Sequence, residues 1–350
     1  MERSSDRQQN LCTLPQHDLQ RITLEHGAGG QMSHSLIHKL LLNRLANSFL
    51  EQNHDGAVLP IFHERTAMTT DSYVVNPLFF PGGDIGKLAV FGTTNDLAMC
   101  GAQPKYMSLS LIMEEGLSFQ TLERVIASID ESLSMLHVQI VTGDTKVVEK
   151  GHGDGIYINT TALGVLGHDL NISPKAIQEG DHIIISSDIG RHALAILNAR
   201  SDYAFQVDIQ SDLQSLVAPV MTLIKQGIKI HCLRDLTRGG LASAINEIAI
   251  CSNHAIELEE TTIPIDMTVR DMCEILGFDP YQLANEGCFI CILPEEHAAH
   301  ALQILHSFNS HACTIGRVGV VQENQVSLIT PYGGRRILAM PLGVALPRIC

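Results

Sequence analysis

Between Ile85 and Met99 the chain runs through an apolar segment that reads as a helix, and inside it stand Asn95 and Asp96. A buried carboxylate is costly unless it is paired or binds a metal ion. The formal net charge is already −15, so a further acid in that setting gains nothing. A fold that accepts this helix has to bring a partner to Asp96.

Three other acids stand at the ends of expected elements: Asp71 where the strand Thr66 to Tyr73 turns polar, Asp84 just before the apolar helix, and Asp144 after the strand His137 to Thr142. Mg²⁺ takes oxygen ligands and commonly combines carboxylates with substrate phosphates. Asp71, Asp96 and Asp144 are therefore expected as metal ligands. Asp84 is a weaker fourth, with helix capping as its alternative. Such a set would let an acidic protein hold a nucleotide. Upstream, His26-Gly27-Ala28-Gly29-Gly30 precedes a helical stretch from Ser33 to Phe49. Glycines let the backbone approach a ligand closely, and the following helix N-terminus favours anions. An ordinary turn is the other reading, and no Walker-type P-loop is present.

The acidic balance argues against nucleic acid or an anionic membrane as the main partner. No apolar run approaches the ~18–20 residues of a membrane-spanning helix, and residues 1–20 carry no signal-peptide apolar region. The protein reads as cytoplasmic. Nine scattered cysteines do not make a disulfide framework. Cys288 and Cys291 lie in an apolar strand where positions i and i+3 face opposite sides, so they read as buried and inert. His34 and His38 would share a helix face, yet no carboxylate motif accompanies them.

Strands and helices alternate along the chain, with helices expected over Ile85 to Met99, Gly116 to Leu136, Arg191 to Asn198, Val217 to Gln226, Leu241 to Ile250 and Glu295 to His306, and a further element over Val269 to Gly277. This order points to α/β domains with mixed sheets. The expected division is a disordered extension over 1–20, a first domain over 21–170, a second over 171–322, and a tail over 323–350. The tail ends in Pro347-Arg348-Ile349-Cys350, placing a thiol beside the α-carboxylate, a like charge that disfavours the thiolate.

His26-Gly-Ala-Gly-Gly30, Thr70-Asp-Ser72, Asp84-Ile-Gly-Lys87, Thr94-Asn-Asp96 and Thr142-Gly-Asp-Thr-Lys146 occur in order in the first half. Asp235-Leu-Thr-Arg-Gly-Gly240, Asn285-Glu-Gly287 and the terminal Pro-Arg-Ile-Cys follow. From about residue 21 to the end the chain resembles the HypE family, the carbamoyl dehydratases of nickel–iron hydrogenase maturation. The terminal Pro-Arg-Ile-Cys is the most specific mark. The other motifs are shared with aminoimidazole ribonucleotide synthetase, thiamine monophosphate kinase and selenophosphate synthetase. The resemblance implies a two-domain, aminoimidazole ribonucleotide synthetase-like α+β fold with mixed sheets and a flexible tail. It also implies a homodimer pairing its N-terminal sheets, with ATP near the seam. A partner, HypF, would load a carbamoyl group onto the terminal cysteine, ATP would drive its dehydration to a thiocyanate, and the nitrile would pass to a HypC–HypD complex.

Under that resemblance Cys350 carries the substrate, and the backbone at Gly27, Gly29 and Gly30 closes over the phosphates. Lys87, Asn95 and Thr145 are expected nucleotide contacts. Lys146 adds positive charge near the transferred phosphoryl or carbamoyl group, or else faces solvent. Asp235 and Arg238 position the tail or a phosphate, or form a structural pair. Glu286 is the leading candidate for the base, because a desolvated glutamate can reach the pKa that general bases need. His26 is second. Two alternatives remain: a small-molecule kinase, which gives Cys350 no task, and a non-catalytic scaffold that only presents a thiol, which predicts no ATP turnover.

Overall fold

The computed structural model describes residues 21–27, 31–52, 57, 59–60, 62–200, 207–321, 325–342 and 348–349. The extension 1–20, Gly29, Gly30, Pro347, Cys350 and the side chain of His34 lie outside the described residues.

The first half opens with helical turns α1 (Gln31–Leu36) and α2 (Asn43–Leu45), joined by a π-helical stretch. Then come β1 (Arg65–Tyr73), the short pair β2 (Phe79–Phe80) and β3 (Gly83–Asp84), α3 (Ile85–Met99), β4 (Gln103–Glu114), α4 (Phe119–Leu136), β5 (Gln139–Val148) and β6 (Ile156–Leu166). The four long strands make a sheet of order β1-β6-β4-β5, in which only β4 and β5 run parallel. In β4, Met107, Leu109, Leu111 and Met113 point inward and are buried, as period-two alternation requires. The opposite face carries Met68 and Ile112, both exposed.

The second half contains β7 (His182–Ile185), α5 (Arg191–Ala199), α6 (Val217–Lys225), β8 (Cys232–Asp235), α7 (Gly240–Ser252), β9 (His254–Glu259), α8 (Met267–Leu276), β10 (Phe289–Leu293), α9 (Glu295–His306), β11 (Cys313–Val321), β12 (Val326–Ile329) and β13 (Arg335–Ile337). Its seven strands are ordered β13-β12-β9-β11-β7-β10-β8. No described helix is long and apolar enough to cross a membrane.

Helix α3 joins the halves. It packs on β1, β6 and α4 of its own half and on α6 and β8 of the other. Every residue of the helix is buried except its two ionisable ones, Lys87 and Asp96. A helix that is apolar on all sides belongs inside a protein. The close approach of Tyr73 explains Gly92, where a Cβ would lie 2.3 Å from the phenol oxygen. That phenol joins Thr93 at 2.9 Å, and Thr93 joins Thr160 of β6, so the buried hydroxyls satisfy one another.

Several expectations change. Residues Gly143 to Val148 are not a loop after a strand but the second half of β5, because β4 pairs with them in register from Leu109 to Glu114. Strand β4 itself had no counterpart among the expected elements. Val326 to Ile337 is not free tail: β12 pairs parallel to β9, and β13 closes the sheet edge. Asp84 is not a metal ligand in this fold. One carboxylate oxygen accepts from the Gly86 and Lys87 amides at 2.8 and 3.1 Å, and the other accepts from the Ser128 hydroxyl at 2.6 Å. These bonds cap α3, satisfying amides that the helix leaves without partners. Asp84→Ala should cost about 1 kcal/mol, a drop of roughly 2–4 °C in Tm, while nucleotide affinity measured by calorimetry stays as in the parent.

Candidate active site

A cavity of about 250 Å³ opens where the halves meet, lined by Asp71, Asp96, Arg234, Asp235, Arg238 and Glu286 together with Thr70, Ser72, Tyr73 and Thr237. Each group arrives on a different element. Asp71 lies near the end of β1 and Asp96 near the end of α3; Asp235 is the last residue of β8. Gly239 and Gly240 then take φ of 77° and 60°, the left-handed region that favours glycine. At Gly240 a Cβ would stand 2.5 Å from the Leu283 carbonyl, so this turn into α7 has no room for a side chain. Thr237 and Arg238 sit just ahead of α7, whose N-terminus favours anions.

Glu286 is held from behind. The Asp212 carboxylate accepts from the Glu286 and Gly287 amides at 3.1 and 2.9 Å. Asn285 accepts from the Gly190 amide at 2.6 Å and donates to the Leu236 and Leu283 carbonyls, each at 3.0 Å. The glutamate side chain is 3% exposed, and its Oε1 has no hydrogen-bond partner. A buried polar atom without a partner is costly and calls for an explanation. A bound cation or a substrate N–H would supply one. The surrounding donor set is oxygen only, which fits a hard divalent cation. Among the described residues, though, no three acidic, histidine or cysteine side chains are already gathered closely enough to hold an ion.

Burial and mutual repulsion set the protonation of this cluster. Asp96 accepts a hydrogen bond from the Thr69 hydroxyl at 2.9 Å and faces Asp235. Burial raises both carboxyls above their usual range. Asp235, with the Asp96 charge as its second cause, reaches about 7. Burial, then the charges of Asp212, Asp235, Asp71 and Asp96, pushes Glu286 well up. Burial also lifts Asp212, to about 6. A cation among these acids would reverse that logic and release their protons.

Other expected residues do not join the cavity. Asn95 clamps the halves together: its oxygen accepts from the Leu216 amide at 2.7 Å, and its nitrogen donates to the Gln214 carbonyl at 3.1 Å. Lys87 lies nine residues from Asp96, roughly 13 Å along the helix, over the Phe91 ring. His26 is buried against Phe119, with Nδ1 facing the Thr23 amide and hydroxyl at 3.1 Å, so it anchors a turn and is no base for this cavity. Gly27 packs on β5, where a Cβ would meet the Val147 amide at 2.6 Å. Asp144 and Lys146 pair at 3.2 Å on the exposed face of β5, and Thr145 lines a separate apolar groove with Leu41 and Leu111. Strand β5 is three strand spacings from β1, roughly 14 Å. One copy of the chain therefore keeps Asp144 and Lys146 apart from Asp71. Arg234, Thr237 and Asp212 went unread in the sequence. The first two adjoin Asp235 in an already recognised motif, whereas nothing local marks Asp212.

The tail returns to this region. Ile349 bridges antiparallel to Val75, and the Asn76 amide donates to the Arg348 carbonyl at 3.2 Å. The chain at Ile349 thus runs towards Tyr73, which lines the cavity.

A carboxyl whose pKa is higher folded than unfolded binds an extra proton in the native state, so stability falls as pH rises between the two values. For Asp235 that window is about pH 4 to about 7. Asp235→Asn should therefore raise Tm, and raise it more at pH 8.5 than at pH 6. An equal or smaller gain at pH 8.5 would mean that Asp235 is not the buried charge that strains the fold.

Residues 53–166 match the family model described as AIR synthase related protein, N-terminal domain, and residues 178–329 match its C-terminal domain. The carbamoyl dehydratase HypE of Azotobacter vinelandii is 43% identical over 331 residues, covering 94% of this chain and 97% of the relative. A crystal structure of the hydrogenase maturation protein HypE in complex with ATP superposes with a TM-score of 0.89 at 46% identity, covering 93% of this chain and 99% of that one. A crystal structure of a HypE–HypF complex gives 0.77 at 39% identity, covering 88% and 100%. Relatives that carry the dehydratase name along nearly their whole length do not favour the kinase alternative. The chain belongs to the HypE family of carbamoyl dehydratases, the enzymes of hydrogenase maturation built on the AIR-synthase-related fold.

Proposed function

We propose that the protein uses ATP to remove water from an S-carbamoyl group on its own Cys350, leaving a thiocyanate that becomes the cyanide ligand of a nickel–iron hydrogenase. The observation that carries this reading is the course of the tail: Ile349 pairs with Val75, two residues from Tyr73 in the wall of the acidic cavity. Oxide is a poor leaving group. The carbamoyl oxygen attacks the γ-phosphate, one N–H proton leaves, and ADP departs. Loss of the second N–H proton and of phosphate then gives –S–C≡N. Glu286, in a water-poor wall and with an oxygen lacking any partner, is the base. Arg234 and Arg238 offset phosphate charge.

Asp71, Asp96 and Asp235 are the residues that would hold Mg²⁺, an assignment resting on their oxygen donors and on the orphaned Glu286 oxygen beside them. The ion would neutralise the polyphosphate in a chain whose net charge repels it. Lys146 lies on the opposite sheet edge, so a homodimer pairing the exposed N-terminal sheet faces is the assembly that could bring Lys146 and Asp144 of one copy to the cavity of the other. The solved HypE–HypF complex supports a carbamoyl donor of the HypF kind, and a HypC–HypD complex would take the nitrile.

Mass spectrometry of Cys350 after carbamoylation and addition of Mg-ATP tests the reading. The expected result is gain of a carbamoyl group, then ATP-dependent loss of one water. Retention of the carbamoyl with active ATP would favour the thiol-presenting scaffold. Glu286→Gln mimics the neutral acid and should fold normally, load normally, and dehydrate about 10²–10⁴-fold more slowly. Asp96→Asn should weaken Mg-ATP binding at least about tenfold, the order expected for a lost charge-assisted contact; unchanged affinity by titration calorimetry would remove Asp96 from the metal set.

A further inference from the structure

The docked end of the tail is gripped by side chains that belong neither to the acidic cavity nor to the tail's own motif. Ile349 is 9% exposed and packs in a core that both halves share. Its carbonyl lies 2.7 Å from Nε2 of His192, a fully buried residue of α5. One residue upstream, Arg200 donates to the Arg348 carbonyl at 2.8 Å and to the Asn76 carbonyl at 2.9 Å, bridging the tail and the segment it lies against. The Arg348 guanidinium pairs with Asp154 at 2.6 Å. Arg348 takes a φ of 55°, a left-handed conformation uncommon outside glycine. Several independent contacts therefore fix one particular path.

The tautomer of His192 follows from its partners. A carbonyl oxygen only accepts, so Nε2 carries the hydrogen and donates to Ile349. Nδ1 faces the Ser211 hydroxyl at 2.8 Å. That hydroxyl already accepts from the Leu213 amide at 3.1 Å, which leaves its own hydrogen to donate to Nδ1. The neutral ring is satisfied on both sides, and burial keeps it neutral by lowering its pKa to about 4. The Phe80 ring stands edge-on at 5.6 Å and closes the pocket.

We propose that His192 is a positioning residue for dehydration, its Nε2–H fixing the Ile349 carbonyl where the tail pairs with Val75, with Arg200 and Asp154 steadying Arg348. The proposal rests on Cys350 being the substrate carrier. Loading by a separate donor protein needs the tail released, whereas dehydration needs it docked. The latch therefore acts with opposite signs on the two steps: weakening it speeds access to Cys350 and slows water loss. A general loss of folding would speed alkylation and slow water loss too, so recovery in a variant that keeps the donor to Ile349, at an unchanged Tm, is what separates the latch from it.

Two substitutions divide the contacts of the ring. The His192→Gln amide reaches the Nε2 position and keeps the donor to Ile349; the shorter His192→Asn amide keeps only the side facing Ser211. The first measurement is the rate of Cys350 alkylation by iodoacetamide in the full-length protein without ATP, read by mass spectrometry of the C-terminal peptide. It needs no dehydratase activity. His192→Asn should react about two- to tenfold faster than the parent, as loss of one buried hydrogen bond implies, and His192→Gln should react at the parent rate. Asp154→Asn and Arg200→Met lie nearer the surface and should shift the rate in the same direction as His192→Asn, which keeps the test open if a buried substitution misfolds. The second measurement is single-turnover water loss from protein already carbamoylated on Cys350, expected to slow in the same variants and to recover in His192→Gln. Equal rates for Asn and Gln, or no change in any variant, would overturn the latch. Absence of ATP-driven water loss in the parent would instead overturn the dehydratase reading, and the alkylation rates tell these failures apart.

Discussion

Two carboxylates from different halves of the chain, Asp96 on α3 and Asp235 at the end of β8, face one another at the junction of the halves. Like charges held this close and this dry resist ionising together, and the fold provides no neighbouring cation strong enough to cancel them: the pKa of Asp235 stays raised despite Arg234. Burial of these acids, with their mutual repulsion added to it, is the constraint around which the site is built. It is tolerated because α3, buried everywhere but here and at Lys87, is locked in place by the Asp84 cap at one end and the Asn95 clamp near the other. Stability given up at a functional site is a common compromise. Here it has a defined location and a defined pH window.

Rigid support extends to Glu286. A glutamate in a loop would ordinarily find water, yet the Asp212 carboxylate and the Asn285 amide hold the backbone of this loop from behind, and the side chain is turned into the protein. Its unpartnered oxygen, the two arginines and the three aspartates then share one small cavity. The tail comes near that wall where Ile349 bridges to Val75, two residues from Tyr73, and the Ile349 carbonyl is held by His192. Backbone pairing gives direction, and the side-chain contacts give a docked state that can be released.

Much of this was legible in the residues. Helix α3 was read with its observed bounds from its apolar run, whereas the acid before it was expected at a metal and instead caps it. Helix α4 was expected over Gly116 to Leu136 as an amphipathic segment and forms over Phe119–Leu136, and α9 forms with its expected bounds. Strand β4 was missed although Met107, Leu109, Leu111 and Met113 alternate with Ser108 and Ser110, a pattern that marks a half-buried strand. Strand β12 was taken for tail because its partner β9 is distant in sequence, and pairing of that range has no local signature; β13 was taken with it and pairs only with β12. Asp71, Asp84 and Asp144 looked alike as acids at element ends. One lines the cavity, one caps a helix and one faces outward from a sheet edge.

What the sequence determined by itself was the family, the α/β character and the chemistry of the site: acids inside apolar surroundings, glycines at the turns, a glutamate in an uncharged stretch, and a terminal thiol. These are properties of residue type and short-range order, so they survive in one dimension. Only the tertiary structure decided which acids meet, because that depends on bringing β8 against α3 across more than a hundred residues. The same is true of His192, whose hydrogen bond reaches Ile349 across more than a hundred and fifty residues. Sequence supplies the groups, and long-range packing chooses their partners, since burial and charge act through space rather than along the chain.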